Sequence, residues 1–352
     1  MRHARTFLAA TLACALGASA LAGAPHLRSD LLLVLNKAEA SVSVLDPDTN
    51  ETHATIPVGE GPHEAHVSPD GRIAVVGNYG ERTPGDSLSV IDMRTLKVVR
   101  TIDLGAPSRP HGIWFLPGGE LVAVTAEAQK KLLLVDPWKG EIVAEIGTEQ
   151  EISHMVALSR DGARAFVPNI RSGSVSVIDL NARELLAIIE TGAGAEGVWT
   201  HPTRDEVWVT NRAADTVTIL DPNSLEILAT LECSGFPIRV AITPDGEHAL
   251  VSCARSGDVA VFDTTTRRLV RRIAMNEEPV DDDELQQRLF RDAFGRSPVP
   301  IGILIRPDGR EAFVANTNAD VISVIDLETW RIARRLTAGR EPDGLAWRSA
   351  DR

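Results

Sequence analysis

Seven apolar segments of the chain end in aspartate: SVSVLD (41–46), SLSVID (87–92), KLLLVD (131–136), SVSVID (174–179), TVTILD (216–221), DVAVFD (258–263) and VISVID (321–326). Their aspartates lie 42 to 46 residues apart, except for a last gap of 63. Self-similarity at such a period means one supersecondary unit stacked on copies of itself. Each unit has the same plan. A short apolar strand, as in GIWFLPGG or RVAITPDG, leads to a Pro-Asp-Gly-type turn. A second strand ends near Asn, as in AFVPN, VWVTN and AFVAN. A loop then leads into the strand that ends in Asp, and a D-x-x-T-type turn into a fourth, as in VVRTIDLG. Alternation and β-branched residues predict half-buried antiparallel strands, and Gly, Asp and Pro belong in the turns. Four such strands per repeat make a β-propeller blade.

The expected fold is therefore all-β: a seven-bladed β-propeller with four antiparallel strands per blade, one domain over residues 30–348. The chain starts on a second-type strand, LLLVLN (31–36), and ends on a spare first-type strand, EPDGLAWR (341–348). The C-terminal strand should complete the N-terminal blade and close the ring, which removes free sheet edges.

The FVPN…SVSVIDL, FVAN…ISVIDL and SPDG units resemble the YVTN family of seven-bladed propellers over nearly the whole mature chain. The resemblance implies the fold, because these motifs are scaffold residues and carry no chemistry. The GH and WD marks of WD40 blades are absent. The superfamily also holds propellers similar to the cytochrome d1 haem domain of nitrite reductases and to the methylamine dehydrogenase heavy chain. Likeness of fold alone carries over neither activity.

A net charge of -13 argues against nucleic acid or an anionic membrane as the main partner, since both need clustered positive charge. Tyr79 is the only tyrosine, so there is no aromatic platform for stacked bases or glycans. Arg2 and Arg5 precede an alanine-rich apolar run from Phe7 to Ala22, followed by small residues. Residues 1–24 read as a signal peptide, and the protein as periplasmic or secreted. That run is too short to be a good membrane span, and nothing later is apolar enough. Export places Cys233 and Cys253 where a disulfide persists. Such a bond would tie blade five to blade six. Neither cysteine stands in the x-x-C-H context of covalent haem attachment.

Aligning the first strands on Pro62, Pro110, Ser153, Ala195, Pro237, Pro300 and Pro342 gives a column of next residues: His63, His111, His154, Glu196, Ile238, Ile301 and Asp343. The column after it reads Glu64, Gly112, Met155, Gly197, Arg239, Gly302 and Gly344, so glycine is its default. Equivalent positions of a ring face one axis, so His63, His111 and His154 should converge beside Glu196 and Asp343. Three imidazoles and a carboxylate suit copper, zinc or iron. They also suit a haem or an anionic organic ligand, or simply a polar, hydrated mouth. Glu64, Glu196, Arg212, Arg239 and Asp343 are the candidate ligand-binding residues, and Lys37, Tyr79 and Glu127 would rim the pocket. His66 occupies the strand position of Trp114 and Trp199 and should be a packed, hydrogen-bonded residue. The H-E-A-H string is not a zinc-protease motif, which needs His at i and i+4 on a helix.

The second strands end in the column Asn36, Asn78, Ala126, Asn169, Asn211, Cys253 and Asn316, where asparagine is expected to bond the backbone of the loop it opens. The long last gap holds an insert, 276–298, with an acidic start and an apolar face on Leu285, Leu289 and Phe290. It is expected to be helical, on the same face as the histidines. No nucleophile motif and no phosphate loop is present. The first functional expectation is an exported protein that binds a small ligand, a metal or a protein partner at the channel mouth. The alternatives are a metal- or haem-dependent enzyme or accessory of periplasmic redox metabolism, and a structural cell-envelope protein.

Overall fold

In the computed structural model, residues 29–275 and 291–350 are described. They form seven four-stranded antiparallel sheets arranged as the blades of a ring. Blade two is representative: Pro62–Val67, Ile73–Gly80, Pro84–Asp92 and Lys97–Asp103, running outward in chain order. The innermost strand of blade four is reduced to Ala157–Leu158, with an isolated bridge from Ser153 to Asn169. Blade one is closed as expected: the C-terminal strand Pro342–Arg348 pairs with Leu31–Asn36 inside the N-terminal sheet. All six residues of Leu31–Asn36 are buried by that pairing.

The burial pattern follows the repeat. Third strands such as Ser174–Asp179 are buried almost throughout, whereas fourth strands such as Glu184–Glu190 alternate exposed and half-buried. Apolar clusters lie between neighbouring blades. One joins Val44 and Ile56 of blade one to Val76 and Ile91 of blade two. Another joins Val90 of blade two to Val124 and Val135 of blade three. The repeated aspartate makes each outer turn. Asp46 accepts the amides of Asp48 and Thr49, Asp92 those of Arg94 and Thr95, and Asp221 those of Asn223 and Ser224. A carboxylate two or three residues before the amides it binds fixes the bend between third and fourth strands.

The asparagine column bonds the backbone of the loop it opens at Asn169 and Asn316, through the Ser174 and Val321 carbonyls, and it does more besides. Asn78 donates to the hydroxyls of Ser87 and Ser89 and accepts from the Gly59 amide. Asn36 does the same with Ser41, Ser43 and Gly339. Its main partners are the S-x-S hydroxyls of the third strand, two of which face one side at period two. Within the insert, Arg291–Phe294 is helical, and Phe294 packs edge-on to Phe236. Residues 276–290 of the insert and the leader lie outside the described residues. No helix among the described residues is long and apolar enough to cross a membrane.

Candidate functional site

The first strands do not pair evenly with their neighbours. Pro62 faces Asn78, yet Ala65 faces Val76, so one extra residue is accommodated between them. The same shift occurs between Pro110 and Ile113, between Ala195 and Val198, and between Pro300 and Ile303. The two residues of the column pair, such as His63 and Glu64, therefore sit in a β-bulge. A bulge frees residues from the ladder and re-aims their side chains. This is how the repeat turns its second and third positions toward the axis at one end of the channel, the top.

Hydroxyls fix the blade-to-blade geometry. Thr125 donates to the His154 carbonyl, Thr210 to that of Ile238, and Ser252 to that of Ile301. Each of these residues precedes the asparagine column, and sequence reasoning passed over them. The column one residue upstream, read across blades, carries the signal. Glycine at the third position has a concrete reason at Gly112, whose added Cβ would lie 2.7 Å from the His154 carbonyl oxygen. The Gly112 amide donates to that same oxygen at 2.8 Å.

The three histidines converge as a row. Ring centroids are 5.2 Å apart for His63 and His111, and 3.6 Å for His111 and His154. Tyr79 closes the other side, 4.2 Å from the His63 ring. Glu64, Glu196, Arg212, Arg239 and Asp343 join the row in a continuous network, with Lys37 and Glu127. Lys37 pairs with Asp343 at 2.8 Å. Arg239 binds Glu64 at 3.0 Å and Glu196 at 3.1 Å, and Arg212 binds the second oxygen of Glu196 at 2.6 Å. His154 lies between two carboxylates, with Nδ1 2.9 Å from Glu127 and Nε2 3.4 Å from Glu196. The Tyr79 hydroxyl donates to the other oxygen of Glu127.

These contacts divide the histidines by charge. For His154, burial opposes charging, but Glu127 and Glu196 outweigh it and raise its pKa. It is read as an imidazolium with both nitrogens donating. Glu196 would be raised by burial, yet Arg212, His154 and Arg239 hold it near 2. Burial raises Glu64 against the pull of Arg239. Burial, then the Lys37 charge, lowers His63 to about 3. His111 is pushed well below its ordinary value by burial and by the charge of His154. Four cationic side chains thus face four carboxyls: Lys37, Arg212, Arg239 and His154 against Asp343, Glu64, Glu196 and Glu127. The two neutral imidazoles stand beside them.

The neutral pair retains free nitrogens. His63 Nδ1 lies 2.6 Å from the Gly61 carbonyl, so it carries the proton, and Nε2 keeps its lone pair. An Asp343 oxygen lies 4.0 Å from that nitrogen. His111 Nδ1 is buried without a hydrogen-bond partner. Among the described residues, no group of three or more His, Cys, Asp or Glu is arranged to hold a metal ion. The row His63, His111, His154 is a stack rather than a tripod, because Glu127 and Glu196 occupy both nitrogens of His154.

Cys233 and Cys253 meet between blades five and six, as two buried thiols with sulfurs 3.8 Å apart and no bond between them. His66 stacks on Trp114 at 4.8 Å and accepts the Phe115 amide on Nδ1.

Known structures share this architecture. A chain of Kuenenia stuttgartiensis hydrazine synthase superposes with a TM-score of 0.68 at 21% identity, covering 89% of this chain and 99% of that one. Dihydro-heme d1 dehydrogenase NirN, in complex with DHE, gives 0.62 at 18% identity, over 90% of this chain and 74% of that one. A functionally unknown protein from Desulfotomaculum acetoxidans DSM 771 gives 0.72 at 14% identity, over 91% and 99%. At these identities the likeness is one of fold. No curated protein matches the chain. The YNCE-like beta-propeller family matches residues 6–120 and 125–288, most of the repeat array, and the chain belongs to that family.

Proposed function

We propose that this protein is an exported binding propeller whose top channel mouth takes a metal-centred planar ligand of the haem class, with His63 as the residue that would hold it. The observation that carries the reading is the hydrogen bond from His63 Nδ1 to the Gly61 carbonyl. A backbone carbonyl on one imidazole nitrogen fixes the tautomer, orients the ring and raises the basicity of the other nitrogen. His63 Nε2 is then a preset ligand, on a side chain 16% exposed at the mouth.

The rest of the site separates the ligand classes. A bare ion needs several protein donors, and the described residues offer no such group. A macrocycle would bring most of its metal's donors with it and would need one imidazole from the chain. A ligand recognised by negative charge alone would need free arginine, but Arg212 and Arg239 are already engaged by Glu196 and Glu64. One fold neighbour, NirN, is a dihydro-heme d1 dehydrogenase, and dihydro-heme d1 is a molecule of the class proposed. When bound, such a group would supply redox or ligand-exchange chemistry. The chain's own part is to hold His63 neutral, to place Tyr79 against its ring, and to keep the charged network internally paired. Residues 1–24 are assigned to export on the Arg2, Arg5 and Phe7–Ala22 pattern.

Absorption titration of the untagged mature protein with haemin tests the reading, with zinc and copper ions titrated in parallel. A saturable Soret shift at one haem per chain is expected, lost in His63→Ala and retained in His201→Ala on the opposite face. Absence of a shift, or a shift indifferent to His63, overturns it. So does stoichiometric binding of the bare ions instead.

A further inference from the structure

Below the charged network the channel widens. Three residues that replace glycine in the third column, Glu64, Met155 and Arg239, roof a cavity of about 630 Å³. The cavity continues down the first strands to the opposite face, where the turns carrying Pro69, Pro117, Pro202 and Pro307 frame it. That volume is in the range of small-molecule sites, which run from roughly 300 to 1,000 Å³. The roof separates it from the histidine row at the top.

Its wall is aromatic. His66 stacks on Trp114 at 4.8 Å with ring planes 29° apart, and Trp114 meets Trp199 edge to face at 5.4 Å. These residues come from blades two, three and five. Blade four carries Ala157 at the same strand position, and that small side chain lets the two tryptophans meet across it. Val198, Ile303 and Leu345 contribute aliphatic surface.

The charges around the cavity are already satisfied. Glu64 and Arg239 bind each other across the roof. At the lower rim, Arg160 binds the Thr203 carbonyl and Asp205. Uncharged donors remain in the lining among the described residues: Trp347 Nε1, buried without a hydrogen-bond partner, and one nitrogen of His66 beside the stacked rings. His66 accepts the Phe115 amide on Nδ1, which places its proton on Nε2, and no protein group among the described residues takes that N–H. A lining residue therefore offers one hydrogen-bond donor beside stacked aromatic faces.

We propose that this lower channel is a second ligand site, which takes one flat, uncharged aromatic molecule carrying a carbonyl-type acceptor. The rings stack along Trp114 and Trp199, and the acceptor receives the His66 Nε2 proton. Aromatic faces favour offset or edge contacts with such a ligand. The neutral, paired surroundings select against charge.

The probe is 6-propionyl-2-dimethylaminonaphthalene, a fluorescent naphthalene ketone, with 2-dimethylaminonaphthalene as the same ring system without the carbonyl. The expected result is one saturable site for the ketone, a blue-shifted emission, and quenching of tryptophan fluorescence. His66→Phe keeps the ring contact but removes the donor. It should weaken the ketone by roughly 3- to 10-fold, the net value of one hydrogen bond, and leave the parent naphthalene unchanged. Trp114→Ala should weaken both probes, with far-ultraviolet circular dichroism checking the fold. His63→Ala at the top should change neither. The proposal is overturned by a lack of saturable binding, by equal loss of both probes in His66→Phe, or by loss of binding in His63→Ala.

Discussion

The site holds titratable groups of opposite tendency within one buried cluster. His154 has its charge stabilised by Glu127 and Glu196, whereas His63 and His111 are held neutral by burial and by neighbouring cations. His66, in the channel below, is lowered to about 4 by burial. The signs then set the pH dependence of stability. His154 has a raised pKa, so its contribution is complete below about 6.5 and fades as pH rises through its folded value. His63, His66 and His111 have depressed values. Their unfolded forms take up protons below about 6.5 while the folded protein does not, so each costs stability as pH falls toward about 4 for His66 and about 3 for His63. Each such group contributes a slope of up to about 1.4 kcal/mol per pH unit. His154 adds no slope below about 6.5, whereas His63, His66, His111 and His201, which burial also lowers, all cost stability there, so the thermal midpoint should fall steadily between pH 6.5 and 5. His66→Phe should reduce that slope by about one group's share. A midpoint flat from pH 7 to 5 would show that these imidazoles are hydrated rather than buried. The partition among the histidines was not legible in the sequence. Alignment of His63, His111 and His154 gives their convergence, but the charge of His154 depends on Glu127 and Glu196, and the neutrality of His63 and His111 on burial and on the Lys37 and His154 charges, all set by the assembled ring.

At the scale of strands and their junctions, much was legible. The D-x-x-T turn and the S-x-S strand are local patterns, and each has a local hydrogen-bonded reason in Asp92 and Asn78. The bulge at the first strand was visible only as a preference for glycine. Its register shift is a property of pairing, which one strand's sequence does not display. The junction of blades five and six is a further case. Cys233 follows the last strand of one blade and Cys253 ends the second strand of the next, so the repeat places them close. The fold leaves their sulfurs 3.8 Å apart, each fully buried, and Cys233's hydrogen bond together with burial raises the Cys253 thiol. A disulfide needs sulfurs at about 2.05 Å, which a modest rotation of two adjacent side chains supplies. Treatment with oxidised glutathione should therefore join them, as the thiols give up two protons and two electrons and the glutathione disulfide is reduced. Intact mass under non-reducing conditions would read the loss of two hydrogens. Closure of the intervening loop should stabilise the chain by about 3 kcal/mol against chemical denaturation. A mass unchanged after partial unfolding in the oxidant would mean that the pair serves only as core.

For the whole molecule, the repeat explains why seven units hold together and why the ring depends on its last strand. Each blade covers a face of the next, so a blade missing its innermost strand leaves both an open sheet edge and an uncovered channel wall. Pro342–Arg348 fills that gap, pairing Leu33 with Ala346 and Leu32 with Trp347. It also supplies Asp343 to the ion pair with Lys37, and so completes the mouth and the ring together. Burial of Leu345, Ala346 and most of Trp347 is worth roughly 5 kcal/mol by apolar transfer, comparable with the total stability of a typical domain. A chain ending at Arg340 should accordingly lose its cooperative thermal transition at neutral pH. With the Leu31–Asn36 edge unpaired, it should also elute as higher oligomers, since an exposed apolar edge recruits other strands. A synthetic peptide covering residues 341–350 should restore a single monomeric species, because a free strand adds to an open edge through main-chain hydrogen bonds. The same peptide with Asp343→Asn should restore the ring but remove the Lys37–Asp343 ion pair, so the rescued complex should melt lower than that with the unaltered peptide. If the truncated chain stays monomeric and melts as the full chain does, closure by the C-terminal strand contributes little. The ring would then be held by contacts between its blades alone.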